Sequence, residues 1–247
     1  NKINGNTNIT AGIENVVTGH DNIADGRKNE VKGDLNVATG RTNKIDGKGN
    51  LVSGIVNKVK GEANIVDGID NKVKGNYNIA DGRTNEVTGD YNTVDGRTNK
   101  VTGKLNVASG RSNEVNGSGN SVSGIANKVT ANEALAYGRN NKVEATDGAA
   151  VGNDNKVTGE NSSAFGKGNI AKGNSSAAFG HDNITSGDNS LAMGKENQTT
   201  GENSLALGKE NITDGINSTA VGRDNETTGE RSLALGEGNI AKGNSSA

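Results

Sequence analysis

The sequence predicts an all-β parallel solenoid, and three columns of residues predict it. Glycine recurs at every seventh position from Gly5 to Gly243, interrupted only by Ala131 and Ala145. Asparagine recurs at every seventh position from Asn1 to Asn127 without exception. A small aliphatic column, Val59, Val66, Val73, Ala80, Val87, Val94, Val101 and Ala108, keeps the same period. A fixed short period marks a repeat architecture in which each unit buries its apolar side against the next.

Each element follows from the unit x-x-N-x-V-x-G. Asn, Val and Gly alternate with variable residues, which is strand periodicity, so Asn and Val share the inward face. Glycine supplies a corner conformation that a side chain would penalise, and the next two residues complete the corner. Seven residues make half a coil, because the variable residues repeat with a period of 14. Ile65, Ile79, Val107, Leu135, Leu191, Leu205 and Leu233 follow one set of Asn or Ser positions. Lys58, Lys72, Glu86, Lys100, Glu114, Lys128, Lys142 and Lys156 follow the other. A coil therefore has two strands and two corners, and stacked coils pair their strands in parallel. About seventeen coils at about 4.8 Å each would make a rod of roughly 80–85 Å.

The interior is then one thin layer of Asn with Val or Ala. Stacked Asn amides can bond along the ladder and to corner backbone, which gives them a structural role rather than a catalytic one. One outer face, with Lys58, Lys60, Lys72, Lys74, Glu86 and Thr88, reads as solvated. The other carries Leu135, Tyr137, Ala177, Phe179, Leu191, Met193, Leu205, Leu207, Thr219, Val221, Leu233 and Leu235. Burying one Leu is worth about 1.5–3 kcal/mol. A lengthwise apolar stripe exceeds what soluble monomers usually expose and is best covered by closed assembly of identical chains. The expected interface is Leu135, Tyr137, Phe179, Leu191, Met193, Leu205, Leu207, Val221, Leu233 and Leu235.

Composition excludes several function classes. The net charge of −2 gives no electrostatic case for nucleic acid or an anionic membrane. No apolar run is long enough to span a bilayer as a helix. The absence of cysteine removes thiolate metal sites and disulfides. His20 and His181 fall on corner positions without a second His or a Cys at ligand spacing, and no activated nucleophile or phosphate-binding loop stands out. No catalytic, cofactor or metal site is expected. Asp67, Asp81 and Asp95 stack on adjacent coils, and ion pairs to Arg83 and Arg97, within or between protomers, are expected to relieve them; bound calcium is the alternative, although the nine-residue calcium-binding repeat is absent.

Two corner columns are candidate partner-binding residues. Tyr77, Tyr91 and Leu105 occupy one corner on three successive coils, and Ile55 and Ile69 occupy the other. Rows of exposed aromatic or aliphatic residues can anchor a protein partner, or cover a neighbouring protomer.

The motifs Asn189-Ser190-Leu191-Ala192-Met193-Gly194, Asn203-Ser204-Leu205-Ala206-Leu207-Gly208 and Arg231-Ser232-Leu233-Ala234-Leu235-Gly236 resemble the repeats of YadA-like heads in trimeric autotransporter adhesins. The resemblance covers 132–247. Over 1–131 the period persists as x-x-N-x-V-x-G, which also resembles the β-roll of a plant ice-binding family. The adhesin resemblance implies a left-handed parallel β-roll and three intertwined protomers. It also implies display at the bacterial outer membrane and attachment to host ligands. Expected partners are a second and third copy of the chain, and a CEACAM-type receptor, collagen, fibronectin or laminin. One continuous head over 1–247 is expected, with a junction where Ala131, Ala134, Ala145 and Gly148 break the columns. Neck, stalk and anchor motifs are not seen, and the chain ends mid-repeat at Asn244-Ser245-Ser246-Ala247, as an excised fragment would. The competing reading is ice binding, which would need a flat, regular outward Thr column. The outward pairs are instead Lys58/Lys60, Glu86/Thr88 and Gln198/Thr200, while Thr199, Thr213 and Thr227 fall inward.

Overall fold

Alternation along each strand sends Asn and Val to one side and charged or aliphatic residues to the other, and the chain folds on that alternation. The structure is a computed structural model and describes residues 1–246; Ala247, the last residue of the terminal run named above, lies outside them. Among the described residues every regular element is a β-strand. The chain divides into two compact units, Asn1–Gly124 and Ile125–Ala247.

In the first unit a coil runs through a strand such as Lys58–Glu62 on one sheet, a corner, and a strand such as Ile65–Ile69 on a second sheet. Pairing is parallel and steps by one 14-residue coil: Lys58 faces Lys72, and Ile65 faces Ile79. Beyond the first coil the inward columns are buried, as Val66, Ala80, Val87 and Val94 illustrate. Asn57, Asn64, Asn71, Asn78 and Asn85 are each 0% exposed.

Burying an amide is tolerable only if its hydrogen bonds are made. The two Asn columns make them differently. Asn85 Nδ2 donates to the carbonyls of Asp81 at 2.7 Å and Gly96 at 3.0 Å, and its Oδ1 accepts the Asn99 amide at 3.0 Å. Asn78 Nδ2 donates to Gly89 O at 2.7 Å and to Asn64 Oδ1 at 3.0 Å, while its Oδ1 accepts the Asn92 amide. The Asn85 side chain thus ties its own coil to the next, and the Asn78 side chain ties three successive coils.

The glycine column has a second cause besides corner conformation. Gly82 has φ +104°, and a Cβ there would lie 2.1 Å from the carbonyl oxygen of Gly96 on the next coil. Two residues later the corner enters the left-handed region, and there the chain uses ordinary residues. Val56, Tyr77, Thr84, Tyr91 and Leu105 have φ of 63°, 57°, 59°, 57° and 57°.

In the second unit the first-sheet strands shorten to two residues, as in Ile184–Thr185, while second-sheet strands such as Leu191–Lys195 keep five. The inward column narrows to Ala178, Ala192, Ala206 and Ala220 on one sheet and Thr185, Thr199, Thr213 and Thr227 on the other, all 0% exposed. Ser replaces Asn at the tighter corner, where Ser176 Oγ donates to Gly173 O at 2.6 Å. Within this unit Gly148 lacks any such side chain, and its amide bonds Ala145 O at 3.2 Å instead.

Candidate assembly and binding surfaces

Strand alternation places the expected interface residues on the outer face of the second sheet. They form two columns. Leu135, Leu191, Leu205 and Leu233 line up with Ala149, Ser163, Ala177 and Thr219 in the first, and their side chains are half-buried by neighbours. The second column is apolar on eight successive coils: Tyr137, Val151, Phe165, Phe179, Met193, Leu207, Val221 and Leu235. Phe165 and Phe179 touch with ring centroids 5.2 Å apart. Val151 and Phe165 belong to the face although the sequence reading omitted them; their spacing of one coil from Phe179 was the available signal. The outer face of this sheet in the first unit is also aliphatic in one column, with Ile23, Leu51, Ile65, Ile79 and Val107 exposed. Its other column carries Asp25, Thr39, Ser53, Asp67, Asp81 and Asp95.

The corner candidates separate into two places. Tyr77 and Tyr91 stack face to face, with centroids 4.9 Å apart and planes 5° from parallel. Leu105 continues that corner one coil further, and the three side chains are 52%, 55% and 64% exposed. Ile55 and Ile69 pair in register at the other end of the second-sheet strands. The two groups therefore sit on opposite corners of the coil, and one partner reaches both only by spanning a whole sheet face.

The expected ion pairs of the aspartate column do not form within the chain. Among the described residues neither Arg83 nor Arg97 lies within ion-pair distance of Asp67, Asp81 or Asp95. Positive-φ Gly82 and Gly96 stand between Asp81 and Arg83 and between Asp95 and Arg97 at the corner, while Asp67, followed across Gly68 by Ile69, accepts the Gly68 amide on Oδ1 at 2.8 Å. Ion pairs form elsewhere, as between Lys28 and Glu14 in the first unit, and a row of basic–acidic neighbours, in which His181 pairs by charge only when protonated, runs along one corner of the second unit. His181 Nδ1 lies 3.1 Å from Asp182 Oδ2, Lys195 Nζ 3.2 Å from Glu196, Lys209 Nζ 2.8 Å from Glu210, and Arg223 Nε 3.1 Å from Asp224. Each pair joins sequence neighbours, and the four stack on successive coils. The Lys209 hydrogen bond holds the Glu210 carboxyl down at about 2. His181, Asp182 and Glu196 also bring ligand atoms within 4.8 Å of one another, but Glu196 already faces Lys195.

The grass antifreeze β-roll family matches residues 1–68 and 57–145, together more than half of the chain. The YadA head domain repeat matches residues 144–169, 171–197, 200–225 and 228–246. The chain belongs to the grass antifreeze β-roll family and carries YadA head repeats. No curated protein matches it. The β-roll match falls on coils whose corners both carry Asn except at Ala134, and the YadA head repeats fall on coils where Ser, or Gly148 in the first, alternates with Asn. Every YadA-like coil carries an apolar residue in the second outward column of the second sheet, from Val151 to Leu235, whereas Tyr137 of the same column lies within the β-roll match.

Proposed function

We propose that the chain is the head of a trimeric autotransporter adhesin displayed on a bacterial cell surface. The observation that carries this reading is the apolar column from Tyr137 to Leu235, which from Val151 onward is borne by the coils that match YadA head repeats. An isolated protomer would leave Phe165, Met193, Leu207 and Leu235 in water. Covering such a column by two further copies supplies the driving force for assembly. The interface comprises Leu135, Tyr137, Phe179, Leu191, Met193, Leu205, Leu207, Val221, Leu233 and Leu235, with Val151 and Phe165 added.

The trimer would present each corner three times, so that weak contacts combine through avidity. Tyr77, Tyr91 and Leu105 form one proposed contact for a host protein, and Ile55 with Ile69 a second. A receptor ectodomain of CEACAM type, or a matrix protein such as collagen, fibronectin or laminin, is the class of partner proposed. Separate Tyr77→Ala/Tyr91→Ala and Ile55→Ala/Ile69→Ala variants assign the contact. Loss of receptor binding in one pair and not the other locates it, and retention in both removes these corners.

Ice binding is the second reading, favoured by the antifreeze β-roll match. The surface chemistry disfavours it. Thr185, Thr199, Thr213 and Thr227 are buried, and the outward face of the first sheet alternates Lys, Glu and Asp. Freezing hysteresis indistinguishable from buffer is the expected result, and a clear hysteresis gap would replace the adhesin reading.

A further inference from the structure

The outer face of the first sheet in the N-terminal unit holds positive charge that neither reading uses. Along most of this face the sign alternates from coil to coil. Lys44 follows Glu30 and binds it at 2.9 Å, and Lys100 stands between Glu86 and Glu114. The alternation fails at one place. Lys58 faces Lys72 and Lys60 faces Lys74 on adjacent coils, and Lys44 stands in register next to Lys58. Strand geometry spaces these stems about 4.8 Å apart along the stack and about 6.7 Å apart along each strand. All four side chains are exposed, and among the described residues none takes part in an ion pair. They border a shallow groove of about 360 Å³, with Asp46 and Glu86 at its margins.

Like charges stacked in register oppose folding, and the rest of this face in the N-terminal unit avoids them, although Lys128, Lys142 and Lys156 stack in register in the second unit. A bound polyanion would reverse that penalty. We propose that the lysine grid binds a sulfated polysaccharide. Lysine presents a compact, mobile point charge that suits the freely rotating sulfates of such a chain. The groove is open and shallow, so an extended polymer can lie across it. Nucleic acid fits less well. The acidic margins confine the patch to about two coils, too short for the many phosphate contacts on which nucleic-acid affinity depends. The nearby rings of Tyr77 and Tyr91 already occupy each other's faces, which leaves no stacking platform between them for bases. A membrane fits less well again, since the face has no outward apolar side chain at these coils to insert.

Heparin immobilised on a sensor surface, at about physiological ionic strength, is the probe. The full chain is expected to bind it. The variant Lys58→Gln/Lys60→Gln/Lys72→Gln/Lys74→Gln should lose at least about tenfold in affinity, the combined effect of four weak surface pairs. Lys167→Gln/Lys172→Gln/Lys195→Gln/Lys209→Gln removes the same formal charge elsewhere and should bind within about twofold of the parent. Desulfated heparin should not compete. Thermal melts check that each variant folds, and the pairs Lys58→Gln/Lys72→Gln and Lys60→Gln/Lys74→Gln serve if the fourfold variant does not. No heparin binding by the parent, an equal loss in both fourfold variants, or equal competition by duplex DNA or phosphatidylserine vesicles would each overturn the proposal. Chain mass is recorded separately, so a failure here is distinct from a failure of the trimer reading.

Discussion

At the scale of single residues, the corners are where this fold stores cost. Val56 sits at φ 63°, where a β-branched side chain crowds its own backbone. Val56→Asn should raise stability by about 1 kcal/mol, read as a higher melting temperature, because Asn tolerates the left-handed region better. Tyr77, Tyr91 and Leu105 bear a similar backbone cost while remaining exposed. Ring stacking returns only about 0.5–1.5 kcal/mol, so these residues stabilise the isolated roll poorly and suit a surface role. The buried Asn columns are the opposite case. Asn85→Ala would leave the Asn99 amide and the Asp81 and Gly96 carbonyls without their side-chain partner. The expected loss is about 2–3 kcal/mol. Hydrogen exchange should locate it, with the Asn99 amide exchanging faster while amides several coils away keep their protection. Unchanged exchange at Asn99 would mean that the ladder is not held by its side chains.

At the scale of elements, strands, coil period and inward columns were legible because each is a property of spacing, and a register that does not slip leaves one way to stack. The outward stripe was legible for the same reason: Leu191, Leu205 and Leu233 announce a face by residue type alone. Contacts decided by side-chain reach were not. The aspartates were expected to meet Arg83 and Arg97 within or between protomers, and within the chain they do not. The ladder from His181–Asp182 to Arg223–Asp224 went unread because its partners are sequence neighbours at a corner, a spacing that strand alternation would place on opposite faces. The pH response of this ladder is a direct check. The ionised form of Glu210 is favoured in the folded chain, so its contribution is complete above the ordinary value of 4.5 and disappears as pH falls through about 2. A carboxyl-detected NMR titration should place Glu210 well below the other exposed glutamates, and Lys209→Met should move it back toward them. A Glu210 midpoint near 4.5 in the parent chain would contradict the pairing.

At the scale of the whole molecule, assembly turns on what covers the second sheet. A solenoid with no partner would be expected to carry a mixed, charged outer face there, as the first sheet does around Glu86 and Lys100. Instead, Tyr137 to Leu235 form an unbroken apolar column. Phe179→Glu places a carboxylate in the middle of that column, outside the roll's own core. It should leave the far-ultraviolet circular dichroism of the coils intact while breaking assembly. The most direct test is the molar mass of the parent chain in solution by sedimentation equilibrium. A single species of three times the 25.1 kDa chain mass is expected, reduced toward one chain mass in Phe179→Glu. A stable, soluble species at 25.1 kDa across the concentration range would contradict it, because the apolar column would then be a surface that water tolerates.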